Sequence, residues 1–149
     1  MITGMDAPIT LRPVDADNWR AVANLEVTEA QREWVAAPAY YLALCHYSPV
    51  GWRPLAVADA AGLVVGFLMW AIDPTDGAAW LGGILVDKTQ QRKGYGRAAV
   101  TAALATIEAP SFALSYSPDN AVARALYRDL GFVETGERED DEIVARRQA

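Results

Sequence analysis

The chain has 149 residues, 52% of them hydrophobic and 21% charged, which is long enough to bury a core without disulfides or metals as staples. A formal net charge of −6 excludes the broad basic face of general nucleic-acid binding, and the lone Cys45 excludes a disulfide framework and a CxxC metal site. Five tryptophans and six tyrosines speak against disorder, no apolar run reaches membrane-spanning length, and "MITGMDAPIT" lacks the basic flank and apolar centre of a signal peptide; a single cytoplasmic domain over 1–149, with no membrane or nucleic-acid partner, is the expectation.

In chain order, Ile9 to Val14 alternates like an edge strand ended by Pro13. Asp15 to Asn24 reads as a short helix capped by aspartate. Thr28 opens a second helical stretch with Glu29 in its first turn, and Pro38 kinks or divides it. Leu55–Ala58 and Leu63–Ala71 read as strands joined by the hairpin turn "DAAG"; "DPTDG" is a second turn and Ala79–Val86 a third strand. Tyr95 to Ile107 is helical, Phe112–Ser115 a short strand, and Asn120 to Leu130 a helix closed by Gly131. Phe132–Thr135 and Ile143–Ala145 are the last strands, joined by the acidic "EREDDE". Antiparallel hairpins around one β-α-β crossover predict an α+β or mixed α/β fold.

The stretch "ILVDKTQQRKGYG", Ile84 to Gly96, carries an apolar strand through a basic turn into a helix start. That arrangement makes an anion site, because glycines let the backbone approach and the helix offers unpaired N–H groups. No GxxxxGK[ST] P-loop is present. Gly94 to Ala99 fits GxGxxA, the dinucleotide fingerprint, yet seven residues, Asp87 to Lys93, separate the strand from Gly94, and apolar Leu114 stands where an acidic ribose partner is needed. A plain polar strand-to-helix loop is the remaining reading of the hexapeptide alone. Gln91-Arg92-Lys93-Gly94-Tyr95-Gly96 also matches Q/R-x-x-G-x-G/A, the pyrophosphate signature of the GNAT superfamily of acetyltransferases.

Further on, "SPDNAVARALYRDLGFVETGE" resembles that superfamily's later segment, in which an asparagine opens a helix and L-Y-x-x-L-G-F closes it. Asn120, Arg124 and Tyr127 lie at i, i+4 and i+7 on one helix face, while Val122, Leu126 and Leu130 make the stripe expected to pack on the sheet. With "LRPVDADNWRAVANLEV", "GFLMWAIDPTDG", "WLGGILVDKTQQRKGYGRAAV" and "ETGEREDDEIVAR", the resemblance covers Ile9 to Arg146 and is greatest to the bacterial spermine/spermidine acetyltransferase subgroup.

The resemblance implies the GNAT acyl-CoA N-acyltransferase fold: a mostly antiparallel sheet of about seven strands, a splayed parallel pair (Leu81–Val86 and Phe112–Ser115), and four flanking helices. It implies acetyl-CoA as donor with no metal, and a small-molecule amine, such as spermidine or spermine, as acceptor. The backbone of Ile84, Leu85 and Val86 would pair with the pantetheine arm, and Gln91, Arg92, Lys93, Gly94, Tyr95, Gly96 and Arg97, with Asn120, would hold the rest of the donor. Tyr127 is the expected general acid toward the CoA sulfur, and the Leu85 N–H the expected donor to the thioester carbonyl. The acceptor side departs from the subgroup: Gly82-Gly83 replaces a polar or charged pair, Pro38 a polar residue and Tyr41 a small one. The glycines are expected to mark a bulge or a close backbone approach that widens the pocket.

No general base stands out. Glu29, Glu33, Asp73 and Asp76 are the candidates for amine binding, each against an ordinary solvated charge. His46 is expected to be structural and Cys45 a small buried residue. Other readings are a non-catalytic acyl-CoA-binding regulatory module, or transfer to an aminoglycoside, an amino acid or a peptide N-terminus. The tryptophans and last strands offer a face for a homodimer.

Overall fold

The computed structural model describes residues 7–149; the first six residues of the stretch read above for a signal peptide lie outside them. Among the described residues there are seven strands, β1 Ile9–Pro13, β2 Arg53–Asp59, β3 Val64–Ile72, β4 Ala79–Val86, β5 Ser111–Tyr116, β6 Val133–Glu139 and β7 Glu142–Gln148. The helices are α1 Trp19–Ala23, α2 Pro38–Tyr47, α3 Tyr95–Thr106 and α4 Ala121–Asp129. The strands make one sheet in the order β1-β2-β3-β4-β5-β7-β6, antiparallel except for β4 beside β5. This is the mixed α/β architecture expected from the sequence.

Strand composition follows position in the sheet. Central β3, "VVGFLMWAI", is apolar on both faces and almost wholly buried. Neighbouring Phe67 and Leu68 belong to different core clusters, one under α1 and α2, the other under α3 and α4. Helix α3 presents Ala98, Ala99, Val100 and Ala103 inward, small side chains that let its axis lie close to the sheet. Pro38 does divide the second helical stretch: it sits at the first position of α2, where its missing N–H costs nothing. Before it the chain makes only a 3₁₀ turn, Ala30–Glu33. Thr28 and Gln31 form a capping box there, Gln31 N donating to Thr28 Oγ1 at 3.4 Å and Thr28 N to Gln31 Oε1 at 3.1 Å.

Two sequence expectations change. "EREDDE" is not a loop: β6 and β7 extend through it to the pair Glu139↔Glu142, leaving a tight turn with Asp140 at φ 53°. Edge strand β6 is exposed along its whole length, so no apolar alternation marks it. Val122 does not pack on the sheet and is 81% exposed. The buried stripe of α4 is Ala123, Leu126, Tyr127 and Leu130, which rotates Tyr127 into the core.

Close backbone packing fixes β3 against β4. A Cβ on Gly66 would lie 2.6 Å from the Leu85 carbonyl oxygen, so no larger residue fits between these strands.

Candidate active site

β4 and β5 pair only at Ala79↔Phe112 and Trp80↔Ala113, then diverge. From Leu81 onward the edge of β4 toward β5 has no strand partner among the described residues. Its other edge carries a bulge, because the register passes from Phe67↔Leu85 to Met69↔Gly82 and leaves Gly83 and Ile84 opposite Leu68 alone. Gly83 has φ 60°, and a Cβ there would stand 3.2 Å from the Phe67 ring and 3.3 Å from that of Tyr41. Tyr41 stacks on Phe67 with centroids 6.1 Å apart, and its hydroxyl accepts the Ala36 N–H at 2.9 Å. The large residue at 41 and the missing side chain at 83 are therefore one packing solution. The gap opens into a cleft of about 760 Å³ that passes from the α2 face of the sheet to α4.

Beyond Ile84, where the cleft lining ends, β4 and the turn into α3 present mainly peptide groups. Asp87 N donates to Val65 O at 2.8 Å, so by antiparallel alternation Leu85 opposite Phe67 is the next bonded pair and its N–H points toward β3. That corrects the expectation for Leu85: the amides toward the gap are those of Ile84 and Val86. Gln91 Nε2 donates to Val86 O at 3.0 Å and to Gln31 Oε1 at 2.7 Å, with Gln31 Nε2 returning a bond to Gln91 Oε1 at 3.2 Å. Gln91 is thus a strut between the turn, β4 and the capping box of the Ala30 turn. Gly94, at φ 83°, leads into α3; the N–H groups of Tyr95, Gly96 and Arg97 precede the first intrahelical bond, Ala98 N to Gly94 O at 3.0 Å. The nearby charges are partly engaged, Lys93 Nζ with Gln90 Oε1 at 3.0 Å and Arg97 with Asp129 on α4, while Arg92 is exposed.

Helix α4 brings the next two groups. Asn120 caps it, Oδ1 accepting the Ala123 N–H at 3.2 Å, and its side chain lines the cleft. Tyr127 also lines the cleft, although only 8% of it is exposed. Its ring packs 5.7 Å from Tyr116 and 6.1 Å from Phe132, and among the described residues its hydroxyl has no hydrogen-bond partner. Burial foremost, then Tyr116 and the charge of Glu142, push its pKa well above the ordinary phenol. Arg124, expected beside it, instead grips Glu134 through two 2.8 Å bonds, and Tyr116 donates to the same carboxylate at 2.9 Å. Burial, then that hydrogen bond, push Tyr116 up to about 12.

The cleft itself is walled mainly by side chains. Trp34, Tyr41, Trp52, Met69 and Trp80 form its wall, with Asp73, Glu139 and Glu142 as carboxylates. Of the four acidic residues singled out from sequence, only Asp73 is here. Glu29 and Glu33 are exposed outside the cleft, and Asp76 pairs with Arg146 at 3.1 Å. Glu139 and Glu142 were missed because "EREDDE" reads as a solvated connection; its charge density was the available signal. His46 is exposed with its ring edge-on to Tyr47 at 4.6 Å. Cys45 is half-buried against Met69, Sγ to Sδ 3.7 Å, and burial pushes its thiol up to about 11, which suits packing and not nucleophilic attack.

Comparison with known proteins agrees with this geometry. The acetyltransferase (GNAT) family matches residues 19–132. A probable spermine N(1)-acetyltransferase of Bacillus subtilis subsp. natto is 29% identical over 143 residues, covering 87% of this chain and 90% of that protein. Among solved structures, a domain from Methanocaldococcus jannaschii superposes with TM-score 0.75 at 14% identity, over 97% of this chain and 100% of that one. The spermidine N-acetyltransferase of Vibrio cholerae, in complex with CoA and spermine, superposes with TM-score 0.70 at 21% identity, over 93% and 92%. At such identities the two structures establish a shared fold.

Proposed function

We propose that this chain, which belongs to the acetyltransferase (GNAT) family, moves the acetyl group of acetyl-CoA to a primary amine of a small cationic molecule, a polyamine such as spermidine or spermine being the first class to test. The observation that carries this reading is the unpartnered β4 edge: from Leu81 to Ile84 it borders the cleft into which the orphan Tyr127 side chain also turns, and beyond Ile84 it runs on toward the amides opening α3. An extended pantetheine arm suits such an edge as an added strand would. The first-turn amides of α3, at the positive end of its dipole, suit the diphosphate. Bound there, acetyl-CoA supplies the activated acyl group. Carboxylates and aromatic rings in the cleft suit an alkylammonium, which is attracted to both.

In this reading the amine attacks the thioester directly. The Ile84 amide, turned toward the gap, offers a hydrogen bond to the carbonyl oxygen as charge develops on it. Tyr127, kept protonated by its buried setting, gives its proton to the departing sulfur. The same fold without transfer, an acyl-CoA-binding regulatory module, would need no unpartnered phenol beside the gap. The deciding experiment is release of free thiol from acetyl-CoA against a panel of polyamines, aminoglycosides, amino acids and peptides. Turnover with polyamines supports the reading; CoA binding by calorimetry without thiol release from any amine leaves only the regulatory module.

A further inference from the structure

We infer that Glu142, at the start of β7, is the catalytic base that takes the proton from the acceptor ammonium. The inference rests on the transferase reading and deepens it. An alkylamine has a pKa near 10, so about one molecule in a thousand is neutral at pH 7, and a nearby acceptor for its proton is required. β4 offers none, since Gly82 and Gly83 have no side chains and Tyr41 covers Gly83. The opposite wall does. Glu142 lines the cleft, half-buried, and its Oε1 accepts the Ser115 hydroxyl at 2.8 Å. That bond fixes the carboxylate to β5, the strand that parts from β4 to make the gap.

The surroundings favour a cation beside this group. Glu139 stands directly across the hairpin from Glu142, and like charges so paired repel unless a positive group lies between them. Asp73 adds a third carboxylate to the same cleft. Arg146, further along the same face of β7, is held by Glu137 at 2.7 Å and Asp76 at 3.1 Å and faces Trp80. The other titratable groups in the cleft are Tyr41, Tyr116 and Tyr127, phenols that are neutral at pH 7. Tyr127, more than nine-tenths buried and with an unpartnered hydroxyl among the described residues, turns into the same space from the opposite side. Glu142, Tyr41 and Tyr127 line the same cleft, so the carboxylate shares it with both the acceptor wall and the acid.

The protons balance. The ammonium loses one proton to Glu142, and the nitrogen lone pair forms the C–N bond. As the C–S bond breaks, sulfur leaves with the Tyr127 proton, and the second proton shed by nitrogen returns to the Tyr127 oxygen. Glu142 then discharges its proton to water.

The test compares Glu142→Gln with the unaltered chain, using thiol release across pH with spermidine and with a weakly basic amine that is neutral at pH 7. With spermidine at pH 7, kcat should fall about 100-fold or more, and the deficit should shrink as pH approaches 10. The weakly basic amine should be used almost equally by both proteins, and calorimetry should show unchanged acetyl-CoA affinity with weaker spermidine binding. Ser115→Ala, which keeps the carboxylate but frees it from β5, should lower kcat with spermidine at pH 7 by a smaller factor than Glu142→Gln and leave the weakly basic amine unaffected. A loss of equal size for both amines at every pH, or no loss, overturns the assignment of Glu142 alone. Absence of thiol release by the unaltered chain overturns the transferase reading and this one together.

Discussion

The cleft and the α3 end of the β4 edge beyond it are built from different materials. At the α3 end the groups facing the gap belong to the main chain: a strand edge, a bulge and the opening turn of a helix. The side chains there are turned to one another, Gln91 with Gln31, Lys93 with Gln90, Arg97 with Asp129. At the α2 end the groups are side chains, drawn from Trp34, Tyr41, Trp52, Trp80 and Glu142, and the main chain only carries them. A surface of amides is largely indifferent to substitution, so it suits a donor that never changes. A surface of side chains can be rewritten one residue at a time, so it suits the acceptor, which differs from one enzyme to the next.

Substitutions can break or sharpen that contrast. The largest effect is expected where the two ends meet. Tyr127→Phe should lower kcat by about 10²–10⁴-fold while acetyl-CoA binding, read by calorimetry, stays within about threefold. Because the native phenol is raised above its ordinary value, the alkaline fall in kcat should begin above pH ~10 and be absent from the variant. An unchanged kcat removes Tyr127 from the chemistry.

Next is Gly83→Ala, which puts a Cβ at φ 60° against Phe67 and Tyr41. A loss of about 1–3 kcal/mol in denaturant unfolding is expected. Pairing it with Tyr41→Ala should cost less than the sum of the two, and simple additivity would show that the two residues are not one packing unit. Gln91→Ala strands the Val86 carbonyl and the Gln31 amide, so acetyl-CoA binding should weaken about tenfold with kcat nearly unchanged. Least of all, Lys93→Ala should cost donor affinity no more than about threefold, and high salt should erase the difference. If Lys93→Ala proved costlier than Gln91→Ala, the main-chain character assigned to that end would be wrong.

The same contrast explains what could be read before any coordinates. The α3 end is one contiguous run, Ile84 to Arg97, and its order of strand, glycine turn and helix is a linear signal. The seven strands, four helices and parallel pair follow from hydrophobic periodicity and turn residues, which act locally. The α2 end is gathered from positions as far apart as Trp34 and Glu142, and no spacing rule joins them. The extension of edge strand β6 from Thr135 to Glu139 escaped because a strand with both faces in water shows no alternation. Counting Tyr127 as polar displaced the α4 stripe by one residue and put Val122 on the sheet. Leu85 was misassigned for another reason: which amides face the gap is set by pairing with β3, and composition says nothing of that parity.

Gly66 limits how such a protein can be redesigned. An engineer seeking a new acceptor has freedom at Trp34, Trp52 and Glu139, which line the cleft outside the Tyr41–Gly83 packing unit and apart from Glu142. Position 66 offers no such freedom, because even one methyl would strike the Leu85 oxygen at 2.6 Å and pry apart the two strands that set the bulge. A mutational library should therefore hold that hydrogen atom constant and spend its diversity elsewhere.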